Sequence, residues 1–118
     1  VILKYLHFAR WCIQHYHFEY LLKADDDTYL HIPRFVETMH GLPNERVYYG
    51  MFCTGQATRA PGHKNYVPES CYPLSSYPPY AHGSAYAVTR DVAEYLSTNA
   101  AGFGKGTINE CIRKFCTA

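Results

Sequence analysis

The chain has 118 residues, of which 47% are hydrophobic, enough for one modest domain and too few for two. Eleven Lys and Arg residues against ten Asp and Glu residues leave a formal net charge of +1 without a basic cluster, which excludes a nucleic-acid partner. No apolar run approaches the roughly 20 residues of a transmembrane helix. Because the chain begins at Val1 with neither an initiator Met nor a signal peptide, we interpret it as a piece of a longer protein.

The five cysteines include no Cys-x-x-Cys pair, which argues against a zinc ribbon or a thiol redox motif. An odd number of cysteines spread along the chain fits a secretory-pathway domain with some disulfide bridges. Buried free thiols in a cytosolic protein are the alternative.

Helical and strand patterns alternate through the first half of the chain. Apolar residues recur at helical spacing over 4–17, and a short aromatic and apolar strand is predicted over 18–24. Pro33 suits the first turn of a second helix that ends at Gly41. A second strand is predicted over 46–52.

The second half begins with an irregular connection over 54–76, rich in Gly, Pro, Ser and Thr, whose residues 64–67 fit a short edge strand. A strand is predicted over 85–88, and Thr89 then fits the N-cap of a helix that continues through Leu96. A last helix is predicted over 107–115. Strands that alternate with helices indicate an α/β layer architecture.

Three consecutive carboxylates, Asp25, Asp26 and Asp27, follow the first predicted strand. They repel one another, and a bound Mg²⁺ or Mn²⁺ would relieve that repulsion. If the segment is extended, Asp25 and Asp27 point the same way and share the ion, while Asp26 faces oppositely and accepts hydrogen bonds from a ribose or a backbone. A solvated acidic turn is the alternative. An EF-hand is excluded, because Tyr29 and Leu30 occupy loop positions that need an oxygen ligand and a glycine.

A second candidate site lies at residues 77–86, with the sequence YPPYAHGSAY. Its two prolines stiffen the backbone, and Gly83 with its small neighbour Ser84 would let a ligand approach the main chain. Tyr77 and Tyr80 could flank a sugar ring. A rigid aromatic turn that only packs is the alternative.

In order and spacing, these motifs resemble the β-1,3-galactosyltransferase family, glycosyltransferase family 31. The resemblance covers about residues 5–96 and rests on four segments: LLKADDDTY at 21–29, VYYG at 47–50, KNYV at 64–67 and YPPYAHG at 77–83. It implies a GT-A fold, a mixed sheet flanked by helices, of which this chain would be one fragment, residues 1–118, without the preceding nucleotide-binding strands. It also implies an inverting transfer of galactose or an N-acetylhexosamine from a UDP-sugar to a glycoprotein or glycolipid hydroxyl. The parent protein would be anchored in the Golgi membrane with its catalytic domain on the lumenal side.

The resemblance assigns roles to particular residues. Asp25 and Asp27 would hold Mn²⁺ against the diphosphate, Asp26 would bind the donor, and Tyr77, Tyr80, Gly83 and Ser84 would bind substrate. The family's catalytic base is an Asp in a Glu-Asp-Val motif, and this chain has Asn109 and Glu110 at the corresponding positions. Glu110 is therefore the candidate base. A relative that binds nucleotide sugar or glycan without turnover is the alternative.

Overall fold

The structure, a computed structural model, describes residues 2–99. Three helices and three strands lie along this range, which confirms the predicted α/β class. The elements in chain order are α1 (Ile2–His15), β1 (Tyr20–Ala24), α2 (Ile32–His40), β2 (Tyr48–Cys53), β3 (Tyr80–Thr89) and α3 (Arg90–Asn99). The last predicted helix, over 107–115, lies outside the described residues.

The helix ends follow local chemistry. α1 ends at His15, two residues before the predicted end, and the His15 ring nitrogen Nδ1 lies 2.8 Å from the Trp11 carbonyl oxygen. α2 has Pro33 in its first turn and is followed by Gly41, as predicted. Thr89 is the last residue of β3, and its hydroxyl accepts a hydrogen bond from the Val47 N–H at 3.1 Å. Thr89 directly precedes α3, at the predicted N-cap position, and ties the start of this helix to the residue before β2.

The three strands form one sheet with the order β1-β3-β2, in which β3 is antiparallel to both neighbours. Ala24 pairs with Ala85 on one side of β3, and Cys53 pairs with Tyr80 on the other. β1 and β2 run in the same direction but are not neighbours, so both pairings in this sheet are antiparallel. The prediction of a mixed sheet is therefore wrong for these strands. β1 and β2 consequently end at the same end of the sheet, where β3 begins.

One core holds α1 and α3 against the sheet. Its buried members, at most 8% exposed, are Leu6, Ala9, Cys12, Leu21, Val88, Val92, Ala93 and Leu96. Complete burial of a Leu or Val side chain contributes about 1.5–3 kcal/mol. This packing fixes the register of β1 on β3, because Leu21 pairs with Val88 and both face the helices.

Residues 54–79 form a separate substructure, which we name the loop lobe. It has its own small core of Ala57, Val67 and Tyr72, with Tyr77 packed against it. The predicted edge strand over 64–67 is wrong, since this segment makes only an isolated bridge between Thr58 and Tyr66. Side-chain packing and hydrogen bonds to backbone carbonyls take the place of a strand ladder here.

Cys12, Cys53 and Cys71 are free thiols, so the disulfide bridges expected of a secretory domain do not occur among the cysteines of residues 2–99. Cys111 and Cys116 lie outside that range. Within the same range, no helix is both long enough and apolar enough to cross a membrane.

Candidate functional site

The acidic residues form a tight turn at the carboxyl end of β1. Asp26 and Asp27 occupy its two central positions, and the Thr28 N–H donates to the Asp25 carbonyl at 3.2 Å. The segment is therefore not extended, and strand alternation does not set the relative directions of the three carboxylates. All three aspartates are exposed to solvent.

Lys23 supplies the charge that faces this turn. Its ammonium group forms an ion pair with Asp25 and also donates to the Gly83 carbonyl. The same nitrogen lies 5.9 Å from the centre of the Tyr86 ring, within the range of a cation–π interaction. Lys23 thus joins the end of β1 to β3, and it is the site residue that the sequence reasoning missed. The available signal was its position two residues before Asp25, which places both residues on one face of an extended strand.

The acidic turn and the second candidate site meet in the structure. The Asp25 N–H donates to the Ser84 carbonyl at 2.8 Å, which continues the β1–β3 ladder by one residue beyond Ala24. The Ser84 hydroxyl lies 2.9 Å from Nδ1 of His82. Two segments separated by more than fifty residues of sequence therefore form one surface.

An irregularity in β3 leaves this surface open. β2 pairs with β3 at Gly50–Tyr86 and again at Phe52–Ala81, so residues 82–85 have no register partner on the β2 side. A Cβ atom added to Gly83 would have no neighbour within 4 Å. Gly83 is thus not required by internal packing, and space for a ligand lies above its backbone. Such bulges recur beside active sites because they redirect backbone and side chains.

Tyr77 lies in the loop lobe and Tyr80 is the first residue of β3, both away from the acidic turn. Tyr80 precedes Ser84 by four residues, at most about 13 Å at about 3.3 Å per strand residue. The two rings meet edge to face at 6.2 Å, and Tyr77 also packs on Tyr72 at 4.9 Å. A hydrogen bond with Cys53, followed by partial burial, raises the pKa of Tyr80. The predicted substrate residues therefore divide into two groups, one beside the acidic turn and one in and beside the loop lobe.

The donor atoms of the acidic turn suit a divalent cation that is shared with a substrate. Residues 2–99 contain no group of three His, Cys, Asp or Glu residues that could enclose a metal ion. Lys23 occupies one carboxylate oxygen of Asp25, Oδ1. One or two carboxylates, completed by water and substrate phosphate oxygens, are the usual protein ligands of Mg²⁺ in phosphate-binding sites. The acidic turn alone thus offers too few ligands to enclose a cation, and Mg²⁺ or Mn²⁺ held there would need oxygens from water or a ligand to complete its coordination.

Comparison with known sequences gives the family. Residues 1–110 match the family described as Galactosyltransferase. The chain belongs to this galactosyltransferase family. The family match extends over the acidic turn, β3 and the loop lobe, and also over Glu110, which lies outside the residues that the structure describes.

Several curated relatives share this part of the galactosyltransferase sequence. Lactosylceramide 1,3-N-acetyl-beta-D-glucosaminyltransferase B of Xenopus laevis is 40% identical over 82 residues, which cover 64% of this chain and 21% of that protein. The mouse lactosylceramide 1,3-N-acetyl-beta-D-glucosaminyltransferase is 37% identical over 83 residues, covering 65% of this chain and 22% of the relative. UDP-GalNAc:beta-1,3-N-acetylgalactosaminyltransferase 2 of Xenopus laevis is 32% identical over 99 residues, covering 82% of this chain and 20% of the relative. The chain thus spans about a fifth of the length of these relatives.

Proposed function

We propose that this chain is the metal- and donor-binding part of a glycosyltransferase catalytic domain of the GT-A type. Its reaction is the inverting transfer of galactose or an N-acetylhexosamine from a UDP-sugar to a hydroxyl group of a glycoprotein or glycolipid glycan. The observation that carries the proposal is the junction at Asp25, whose N–H bonds to Ser84 and whose carboxylate is linked through Lys23 to Gly83. Carboxylates, a lysine and open glycine backbone are the groups that a sugar diphosphate and its cation require.

Each residue of the junction has a distinct role in this proposal. Asp25 and Asp27 would hold Mn²⁺, and Asp26 accepts hydrogen bonds from the donor ribose. An ion held there would supply positive charge against the UDP leaving group. Gly83 and Ser84 present backbone at the open part of β3, where the donor approaches closely. Lys23 keeps Asp25 in place and adds a positive charge next to the diphosphate.

Inversion requires a base on the acceptor side that removes the hydroxyl proton as the new glycosidic bond forms. We assign this role to Glu110. Compared with the aspartate of the family motif, its additional methylene group displaces the carboxylate by about 1 Å, enough to slow a positioned reaction. This substitution is the reason to retain a second candidate function, a relative that binds UDP-sugar or glycan without turnover.

The family relationship also supports the cellular setting that we propose. The parent protein is anchored in the Golgi membrane, and the catalytic domain that includes this chain faces the lumen.

Calorimetric titration of Mn²⁺ into the purified protein, with and without UDP, tests the donor site. We expect UDP binding that requires Mn²⁺, and we expect Asp27→Ala to abolish it. Glu37→Ala, which removes an exposed carboxylate from α2, is the matched control and retains binding. Metal-independent UDP binding, or full binding by Asp27→Ala, would contradict the assignment. Hydrolysis of UDP-Gal, UDP-GlcNAc and UDP-GalNAc then separates an enzyme from a protein that only binds.

A further inference from the structure

The loop lobe contains an open cavity that the donor site does not use. Its volume is about 340 Å³, and it is lined by Arg59, Tyr66, Glu69, Pro73 and Ser75. This volume lies within the range of small-molecule sites in proteins, which begins at about 300 Å³. All five lining residues come from one irregular segment, which the small core of the lobe holds in shape.

Arg59 forms a rigid, positively charged part of the cavity wall. Its guanidinium donates to the carbonyls of Val67 at 2.6 Å, Tyr72 at 2.6 Å and Leu74 at 2.9 Å. A guanidinium has five N–H groups, so two are not used by these three carbonyls. Because the three partners are neutral carbonyls, the positive charge of Arg59 is not cancelled by the groups that hold it.

Glu69 provides the complementary acceptor in the same cavity. Neither Glu69 nor Arg59 takes part in the ion pairs of residues 2–99, which are Lys23–Asp25 and Arg90–Glu94. The cavity therefore presents separate donor and acceptor groups whose formal charges sum to zero. A neutral ligand with several hydroxyl groups can use both, whereas an anionic ligand would be attracted by one and repelled by the other.

An aromatic ring completes the polar walls. Tyr66 is 38% exposed and lines the cavity together with the Pro73 ring. Sugar rings combine an apolar C–H face with a rim of hydroxyl groups, and an amphipathic tyrosine matches that combination. The hydroxyl of Ser75 adds a group that can both donate and accept.

The loop lobe lies at the same end of the sheet as the acidic turn. β1 and β2 both end there, and β3 leads from the lobe at Tyr80 to Ser84 beside Asp25. The residues that line the cavity include none of the acidic turn and none of residues 82–85. A ligand in the cavity can therefore be a different unit of the same oligosaccharide from the sugar that reacts at the acidic turn.

We infer that the cavity of the loop lobe binds a neutral hexose or N-acetylhexosamine unit of the acceptor glycan, remote from the hydroxyl that receives the donor sugar. This inference rests on the proposed transferase function. It makes the lobe a specificity-determining site, which selects acceptors that are long enough to reach from the reacting hydroxyl to the cavity.

Calorimetry with purified protein, Mn²⁺ and UDP tests the inference. The probes are neutral tetrasaccharides that end in galactose or N-acetylglucosamine, their terminal disaccharides, and sialylated tetrasaccharides. We expect Tyr66→Ala and Glu69→Gln to weaken binding of the best neutral tetrasaccharide at least tenfold and that of its terminal disaccharide less than twofold. The control is Leu74→Ala, which removes a side chain of the same lobe that is 58% exposed and does not line the cavity.

The outcomes distinguish the two proposals. The cavity assignment is overturned if the protein binds UDP with Mn²⁺ but binds no neutral tetrasaccharide, if both cavity variants bind like the control, or if sialylated glycans bind more tightly than neutral ones. The transferase proposal would be overturned if neither the wild type nor any variant bound UDP, with or without Mn²⁺. Tetrasaccharide binding that Tyr66→Ala still weakened would then support a glycan-binding lobe.

Discussion

Two glycines near the middle of the sheet give opposite predictions for the same substitution. A Cβ atom on Gly50 would lie 2.8 Å from the Ala81 Cβ, 3.2 Å from the Tyr86 Cβ and 3.3 Å from the Ala85 carbonyl oxygen. Optimal separation of two carbon atoms is about 3.5–4.0 Å. None of these atoms is the end of a flexible side chain, so β2 and β3 must move apart to admit the methyl group.

The expected cost of Gly50→Ala is about 1–3 kcal/mol of unfolding free energy, the usual range for additional carbon atoms in a packed site. Gly83→Ala should not destabilise, because its methyl group has no neighbour within 4 Å and the Gly83 backbone does not have a positive φ. Restriction of the unfolded chain would add about 0.4–1 kcal/mol of stability. The new methyl group occupies the space above the open backbone, and we expect it to weaken UDP-sugar binding about tenfold.

Urea denaturation and calorimetric binding of UDP-sugar with Mn²⁺, performed on both variants and the wild type, test this pair. The expected pattern is lower stability for Gly50→Ala, and unchanged or higher stability with weaker binding for Gly83→Ala. Equal losses of stability in the two variants would refute the reasoning about packing. Wild-type affinity in Gly83→Ala would refute the assignment of the open backbone to the donor.

Two further predictions concern stability alone. The Tyr5 hydroxyl is buried without a hydrogen-bond partner among the described residues, so Tyr5→Phe should raise the free energy of unfolding by about 1 kcal/mol in urea denaturation. Burial also raises the pKa of Tyr5 above its ordinary value of 10.0, so the unfolded chain loses this proton first. Stability should therefore fall as the pH rises above 10.0, less steeply in Tyr5→Phe, and an identical slope would contradict this. Asp91→Asn should cost about 1 kcal/mol, because the Asp91 carboxylate accepts from the Arg46 N–H at 2.9 and 3.2 Å and so holds Arg46 at a φ of 54°. Glu94→Gln, which removes an exposed ion pair from the same helix, should change stability by less than about 0.5 kcal/mol.

Elements with strong local signals were predictable from the sequence. The apolar spacing of α1, Pro33 at the start of α2 and the alternation of helices and strands each have a local cause that the structure retains. The length of β3 depended instead on long-range pairing, since the strand predicted over 85–88 extends over Tyr80–Thr89, where β1 and β2 pair with it. The segment at 64–67 has a strand-like composition, but its neighbours provide one bridge and no ladder. Pairing partners and tertiary hydrogen bonds are not encoded within a short window.

The candidate site was likewise predictable only where its features have a local cause in the sequence. Its residue types were recognisable, but their arrangement was not. Asp26 and Asp27 form a turn, the alternative to an extended segment, because aspartate readily occupies turn positions. Tyr77 and Tyr80 belong to an aromatic cluster at the loop lobe. Tyr80 is paired with β2, whereas Gly83 lies in the part of β3 that is not, and this difference in pairing could not be read from the sequence.

The register of β1 on β3 is itself a condition for the site. Leu21, Lys23 and Asp25 are spaced by two residues, so burial of Leu21 against the helices directs Lys23 to the same face, where it meets Asp25 and Tyr86. A slip of one residue would turn Leu21 toward the opposite face and separate Lys23 from the Gly83 carbonyl and the Tyr86 ring on β3. The burial of Leu21 in the core therefore also positions the charges of Lys23 and Asp25 at the end of the strand. The acidic turn depends on the hydrophobic core even though its own carboxylates are exposed.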